Sequence, residues 1–249
     1  DLNGAAVQAA CREIRGRMDA VAEAHGEPLS FAELATQCWL QQVSLSSTGF
    51  YATPGIAYDR DAGKGTPFYY FAYGGAVAEV EVHGLTGEHR VLRVDILHDV
   101  GNPLVPSIDI GQVEGAFVQG QGWLTCEEIV YSGDGRLLTH SPSTYKIPSA
   151  GDVAADFRTG LLTRAPNELV VGGSKAVGEP PFILAISVVT ALRHAIGAFG
   201  PVEHELHLTM PCTPEAILRS VEGARAAERT GTSVEQRAST ADSSPHTNS

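Results

Sequence analysis

The chain has 249 residues, enough to bury a sizeable core in one large or two ordinary domains, which excludes a disulfide-stapled miniprotein. Lys and Arg number 17 against 29 Asp and Glu, a formal charge of -12 that repels phosphate backbones and anionic lipid, so neither nucleic acid nor membrane is an expected partner. Hydrophobic residues make up 43% and charged residues 18%, a globular composition, while 27 Gly and 14 Pro require many turns.

The first residue is Asp1 rather than Met, and the opening Asp1-Leu2-Asn3-Gly4 reads as the cap of a helix already in progress. Val7, Cys11, Ile14, Met18 and Val21 recur at three or four residues and predict a helix over 5–24, ended by Gly26-Glu27-Pro28. Ser30-Phe31-Ala32-Glu33 is a capping box that opens a second helix to about residue 42. The Ser-, Gly- and Pro-rich stretch 43–58 reads as extended chain or loop. From Pro67 the pattern turns to β: aromatic residues 68–73, a Gly74-Gly75 break, then alternation over 76–82, a turn over 83–88 and alternation over 90–97, together a hairpin.

A long helix follows Asp109 to about Val130, carrying Val113, Phe117, Val118 and Trp123. Its glycines, Gly115, Gly120 and Gly122, each cost about 1 kcal/mol of helix propensity relative to Ala, so a ligand or a tightly packed neighbour must approach there. A tight turn spans 131–136 and Leu169-Val170-Val171 reads as a short buried strand. Pro180-Pro181 opens a strongly apolar core helix over 182–198, and Thr213-Pro214-Glu215 starts a final helix to about Ala227. Residues 228–249 are rich in Ser and Thr and read as a disordered tail.

Several familiar sites fail on spacing. Lys175 in Gly172-Gly173-Ser174-Lys175 lacks the P-loop pattern, and there is no GxGxxG after a strand, no GxSxG and no HExxH. Cys11, Cys38, Cys126 and Cys212 form no CxxC pair, which leaves free or buried thiols in a reducing cytoplasm. His204 and His207, beside Glu203 and Glu205, read as alternation along a surface strand, and no metal-ligand set is assigned. No apolar run approaches the roughly 20 residues of a membrane span, and no signal-peptide pattern opens the chain.

Two segments carry chemistry. Glu179, set between Gly178 and Pro180-Pro181 at a helix mouth, is either a general base poised between the helix dipole and burial, or an acid that merely caps the helix. In Gly111-Gln112-Val113-Glu114-Gly115 the Gln112 amide offers donors and an acceptor to a polar ligand, and the alternative is a turn with close helix packing.

These segments sit within a wider pattern: Asp109-Ile110-Gly111-Gln112-Val113-Glu114-Gly115-Ala116-Phe117-Val118-Gln119-Gly120, Pro142-Ser143-Thr144-Tyr145-Lys146-Ile147-Pro148 and Ser174-Lys175-Ala176-Val177-Gly178-Glu179-Pro180-Pro181. In order and separation they closely resemble the molybdenum-binding subunit of the xanthine dehydrogenase family of molybdenum hydroxylases. Leu45-Ser46-Ser47-Thr48-Gly49-Phe50-Tyr51-Ala52-Thr53-Pro54 and Thr213-Pro214-Glu215-Ala216 extend the likeness over 1–220. Leu104-Val105-Pro106 departs from the family's Leu-Asn-Pro.

The resemblance implies that Glu179 is the general base for hydroxylation of an electron-poor ring carbon and that Gln112 hydrogen-bonds the molybdenum-molybdopterin cofactor. Backbone groups around Gly111, Lys175, Ala176, Val177 and Gly178 would help cradle the same ligand. It further implies hypoxanthine and xanthine as substrates, oxidised toward urate, with electrons passing through [2Fe-2S] and FAD centres elsewhere in the complex to NAD. The alternatives are an aldehyde or other N-heterocycle hydroxylase, or a non-catalytic structural fragment lacking the upstream cofactor-binding half. Expected partners are the upstream part of the same subunit, an iron-sulfur/FAD subunit or domain, and a second copy of the complete enzyme, in the cytoplasm. The expected fold is α+β, with mixed sheets flanked by helices. The expected divisions are 1–107 (helices plus a β-rich lobe), 108–227 (a lobe with the cofactor-facing Gln112 and catalytic Glu179) and 228–249 (tail).

Overall fold

The computed structural model describes residues 1–162, 167–201 and 205–241, with side chains as far as Arg229. Helices combine with small sheets in an α+β fold, in the element order α1 (Leu2–His25), α2 (Phe31–Leu40), β1 (Ala57–Asp59), β2 (Lys64–Thr66), β3 (Gly74–Val82), β4 (His89–His98), α3 (Pro106–Thr125), β5 (Asp156–Leu161), α4 (Ile186–Gly197) and α5 (Pro214–Ala241). The two compact units are not consecutive halves divided near residue 107. One gathers Asp1–Ala72, Val100–Leu104 and Thr163–Ala176; the other gathers Tyr73–Asp99, Val105–Leu162 and Val177–Ser249. Chain that returns from far along the sequence, such as Gly173, whose carbonyl accepts from Asn102 N at 2.7 Å, completes the first unit.

In the first unit α1 buries Met18 and Val21 against Leu34 and Cys38 of α2, with Ile14 and Leu29 packed beside them. Gly26 ends α1 in the left-handed conformation (φ 80°), and the Ser30–Glu33 capping box forms with both of its bonds. Arg17 on α1 donates to the carbonyls of Ser44 and Ser46 at 3.0 and 2.9 Å, which fixes the extended 43–49 stretch. The aromatic run 68–73 is not a strand. Its hydroxyls serve other segments instead: Tyr69 donates to the Leu169 carbonyl and Tyr70 to the Asp1 carboxylate. Leu169-Val170-Val171 is likewise a turn leading into a 3-10 turn (Val171–Gly173), and Leu169 is 58% exposed. Gly172 and Gly173 both hold positive φ (71° and 73°), a curl that glycine alone adopts readily, so extended pairing stops there.

The second unit is built on a three-stranded mixed sheet, β3-β4-β5. The β3–β4 hairpin is antiparallel and begins its pairing at Gly74↔His98, so the Gly74-Gly75 pair lies inside the strand rather than breaking it. β5 pairs parallel to β4, with α3 in the connection, a βαβ crossover that sets α3 on the sheet. This third strand adds to the expected hairpin; Phe157, Thr159 and Leu161 alternate along it with Asp156, Arg158 and Gly160. α3 begins at Pro106, four residues ahead of the expected start after Asp109, and ends at Thr125, about five residues short of the expected end. Val105, its N-cap, makes no side-chain cap bond.

The apolar stretch at Pro180 begins as a 3-10 turn (Pro180–Ala185) and continues as α4, whose Val188, Val189, Leu192 and Ile196 are buried. Pro180–Gly197 is the one helical stretch among the described residues long and apolar enough by composition to cross a membrane; here α4 packs on β3, α3 and α5 as a core helix. Thr213 caps α5 by accepting from Ala216 N at 3.3 Å. α5 continues to Ala241, past the expected end at Ala227, so 228–241 is helical backbone rather than tail. Residues 226–229, Ala-Ala-Glu-Arg, are good helix formers and carry it forward. Residues 242–249 and His204 lie outside the described residues.

Beside α3, Gln121 donates to the Asp152 carbonyl at 2.9 Å. The Asp152 carboxylate accepts from Lys146 Nζ at 2.6 Å, from Ser149 N at 2.7 Å and from Ser149 Oγ at 2.8 Å. Chiefly through Lys146, these bonds pull its pKa down to about 2. A carboxyl depressed on folding contributes stability that is complete above its unfolded value near 4 and lost as pH falls toward about 2. Lys146→Met is expected to raise the Asp152 pKa, read as a carboxyl titration by NMR; an unmoved titration would contradict the lysine's role.

Candidate functional site

Gln112 stands on the exposed side of α3, just past its second turn. Among the described residues its amide has no hydrogen-bond partner. Three residues earlier, and so on the same helix face, Asp109 places Oδ2 out of solvent with no partner. In the sequence Asp109 stands out only as the residue before a helix. Its place in Asp109-Ile110-Gly111-Gln112, one helical step from the amide, is the signal that marks it.

Gly178 and Glu179 meet this face from the far end of the chain. A methyl built on Gly178 would stand 3.5 Å from Gln112 Oε1, so the two segments are in van der Waals reach. Glu179 is the N-cap of the Pro180–Ala185 turn by position, but its carboxylate makes no cap bond and is exposed. Only its backbone is used there, the carbonyl accepting from Phe182 N at 3.0 Å. The side chain therefore does not cap the turn. The Pro180-Pro181 pair that follows fixes the backbone φ angles beside it.

The remaining residues divide. Gly111 lies inside α3 with its N–H within the helix, and a side chain built there would meet nothing within 4 Å, so it offers open approach rather than a donor. Lys175 and Ala176 belong to the first unit, and their N–H groups are occupied: Lys175 N donates to the Val100 carbonyl and Ala176 N to Tyr70 Oη, each at 2.8 Å. Lys175 Nζ donates to the Phe71 carbonyl at 3.0 Å. Val177 and Gly178 open the return to the second unit. Among the described residues no group of three His, Cys, Asp or Glu could hold a metal ion.

The model of the molybdopterin cofactor-binding domain family matches residues 1–154, a span that holds Gln112 and Asp109. Xanthine dehydrogenase of Dictyostelium discoideum is 48% identical over 227 residues, 88% of this chain and 17% of that protein. Among solved structures, quinoline 2-oxidoreductase from Pseudomonas putida 86 aligns with TM-score 0.55 and 35% identity over 61% of this chain and 19% of its own. Aldehyde oxidoreductase from Desulfovibrio desulfuricans ATCC 27774 aligns with TM-score 0.69 over 88% of this chain and 22% of its own; at 22% identity this is a likeness of fold. The chain thus spans 16–17% of the length of the curated relatives it matches. A family match over more than half of the residues and close identity over most of them show that the chain belongs to the xanthine dehydrogenase family, in its molybdopterin cofactor-binding domain.

Proposed function

We propose that this chain is the portion of a molybdenum-dependent xanthine hydroxylase that contributes the general base, Glu179, and one wall of the cofactor site around Gln112. The observation that carries the reading is a carboxylate engaged in neither a cap nor an ion pair among the described residues, whose chain neighbour Gly178 lies beside an amide without a partner. The residues fit molybdopterin. Asp109 Oδ2, buried and unpartnered, calls for a ligand that donates N–H; the Gln112 amide can give and accept; Gly111 leaves the helix surface open beside them.

When bound, the molybdenum cofactor supplies the oxygen-transfer chemistry and takes up the electron pair. Gln112 would orient it by hydrogen bonding. Glu179 would accept the proton that the nucleophilic oxygen gives up as it attacks an electron-poor ring carbon of a purine. Electrons would then leave through [2Fe-2S] and FAD centres to NAD, in parts of the complete, homodimeric enzyme outside this chain. Glu179 is exposed here, so the wall that shuts water out of the reaction would come from those other parts. Four free thiols suit a reducing compartment such as the cytoplasm.

Dye reduction by the complete enzyme, with xanthine, an aldehyde and quinoline compared and molybdenum measured, tests the reading. Xanthine is expected to turn over fastest. A preference for the aldehyde would overturn the substrate assignment, and quinoline, the substrate class in a relative's name, would narrow it to other heterocycles.

A further inference from the structure

Gln112, Ala116 and Gly120 stand at i, i+4 and i+8 on α3 and share one helix face. The segment 178–185 lies along that face: Gly178 lies beside Gln112, and the turn Pro180–Ala185 packs on α3 further along. At Gly120 the approach is closest. A Cβ built there would stand 2.4 Å from the Phe182 carbonyl oxygen and 2.8 Å from Ala185 Cβ, against a floor of 3.0 Å for real contacts. The first neighbour is backbone and cannot rotate away. One turn on, the Trp123 ring lies 5.3 Å from the Phe182 ring and presses the same residue onto the helix. Phe182 N in turn donates to the Glu179 carbonyl, so the position of Phe182 is transmitted directly to Glu179.

We propose that Gly120 is a positioning residue: by admitting the Phe182 backbone against α3 it sets the separation between Gln112 and Glu179. Its missing side chain is needed for space. A glycine inside a helix costs about 1 kcal/mol relative to Ala, and here it allows a close approach. Gly16, an exposed glycine inside α1, has nothing within 4 Å of its Cβ position and serves as the control. The proposal rests on the assignment of Glu179 as base.

The test uses the complete enzyme, with kcat expressed per bound molybdenum and the variant structure determined. In Gly120→Ala the Phe182 carbonyl is expected to move by roughly 0.6 Å or more, the gap between 2.4 and 3.0 Å. Misplacement of a reacting group on this scale costs on the order of tenfold to a hundredfold, here in kcat, with KM changed by less than about threefold. Gly16→Ala is expected to match the parent enzyme. Trp123→Ala, which removes a clamp without adding bulk, is expected to lower kcat in the same direction by a smaller factor, and it decides the matter if Gly120→Ala does not fold. An unmoved Phe182, or parental kcat per molybdenum in Gly120→Ala or, failing that variant, in Trp123→Ala, would overturn the proposal. Parental turnover in Glu179→Ala would instead remove the base assignment, while the displacement of Phe182 would still report on Gly120.

Discussion

Glu179→Ala in the complete enzyme is expected to lower turnover by about 10²- to 10⁴-fold, the usual contribution of a positioned general base, with molybdenum content unchanged. The structure makes this a clean experiment. The Glu179 carboxylate neither caps the Pro180–Ala185 turn nor pairs with a cation among the described residues, and it is exposed. Removing it leaves no buried partner unsatisfied, so stability is expected to change by no more than about 0.5 kcal/mol. Glu179→Gln keeps the shape and loses the proton acceptor, and it is expected to be as slow. The two variants together separate proton transfer from packing: if Gln restores what Ala loses, the side chain acts by filling space. Turnover per molybdenum close to that of the parent enzyme in both variants would sink the role assigned to Glu179.

Features encoded within a few residues of one another are legible in the amino-acid sequence. The Ser30–Glu33 capping box, the glycine stop at Gly26, the β3–β4 hairpin and the Thr213-Pro214 helix start each depend on neighbours in sequence, and each forms. The features that sequence misplaces depend on distant partners. The aromatic run at 68–73 has the composition of a strand, but strand formation needs an edge to pair with, and its hydroxyls are instead engaged by Asp1, Leu169 and Ala176. β5 is only six residues long and none of them is fully buried, and it pairs with β4 in parallel through the crossover that contains α3. A division near 107 is incompatible with 100–104 and 163–176 joining the first unit.

The site shows the same split. Gln112 and Glu179 stand out by chemical type and by resemblance, and the second unit brings their segments together. Backbone groups around Lys175 and Ala176 are expected from resemblance to help cradle a ligand; their N–H groups are bonded to the Val100 carbonyl and to Tyr70 Oη. Asp109 escapes notice in the sequence because a carboxylate in a first helical turn is ordinarily explained by the helix dipole. Its place one helical step before Gln112 gains meaning from its burial without a partner.

The second large effect is expected at Phe117→Ala, which should weaken the second unit by about 3–5 kcal/mol, the usual cost of emptying a buried aromatic site. Phe117 is fully buried on α3, and its ring meets that of Phe157 on β5 edge-on, with centroids 5.6 Å apart. Among the described residues β5 pairs with β4 alone, and α3 packs on it through this contact. Hydrogen exchange in the complete protein is the suitable measurement, because a multidomain enzyme has no single unfolding free energy. Amides of β5 and α3 should lose protection together, while those of α1 and α2, which belong to the other unit, keep theirs. Phe117→Leu leaves a smaller void and is expected to cost less. A loss below about 1 kcal/mol in Phe117→Ala, against the 3–5 expected, would mean that the α3–β5 contact does not hold the sheet, and α3 would need another anchor to keep Gln112 in place.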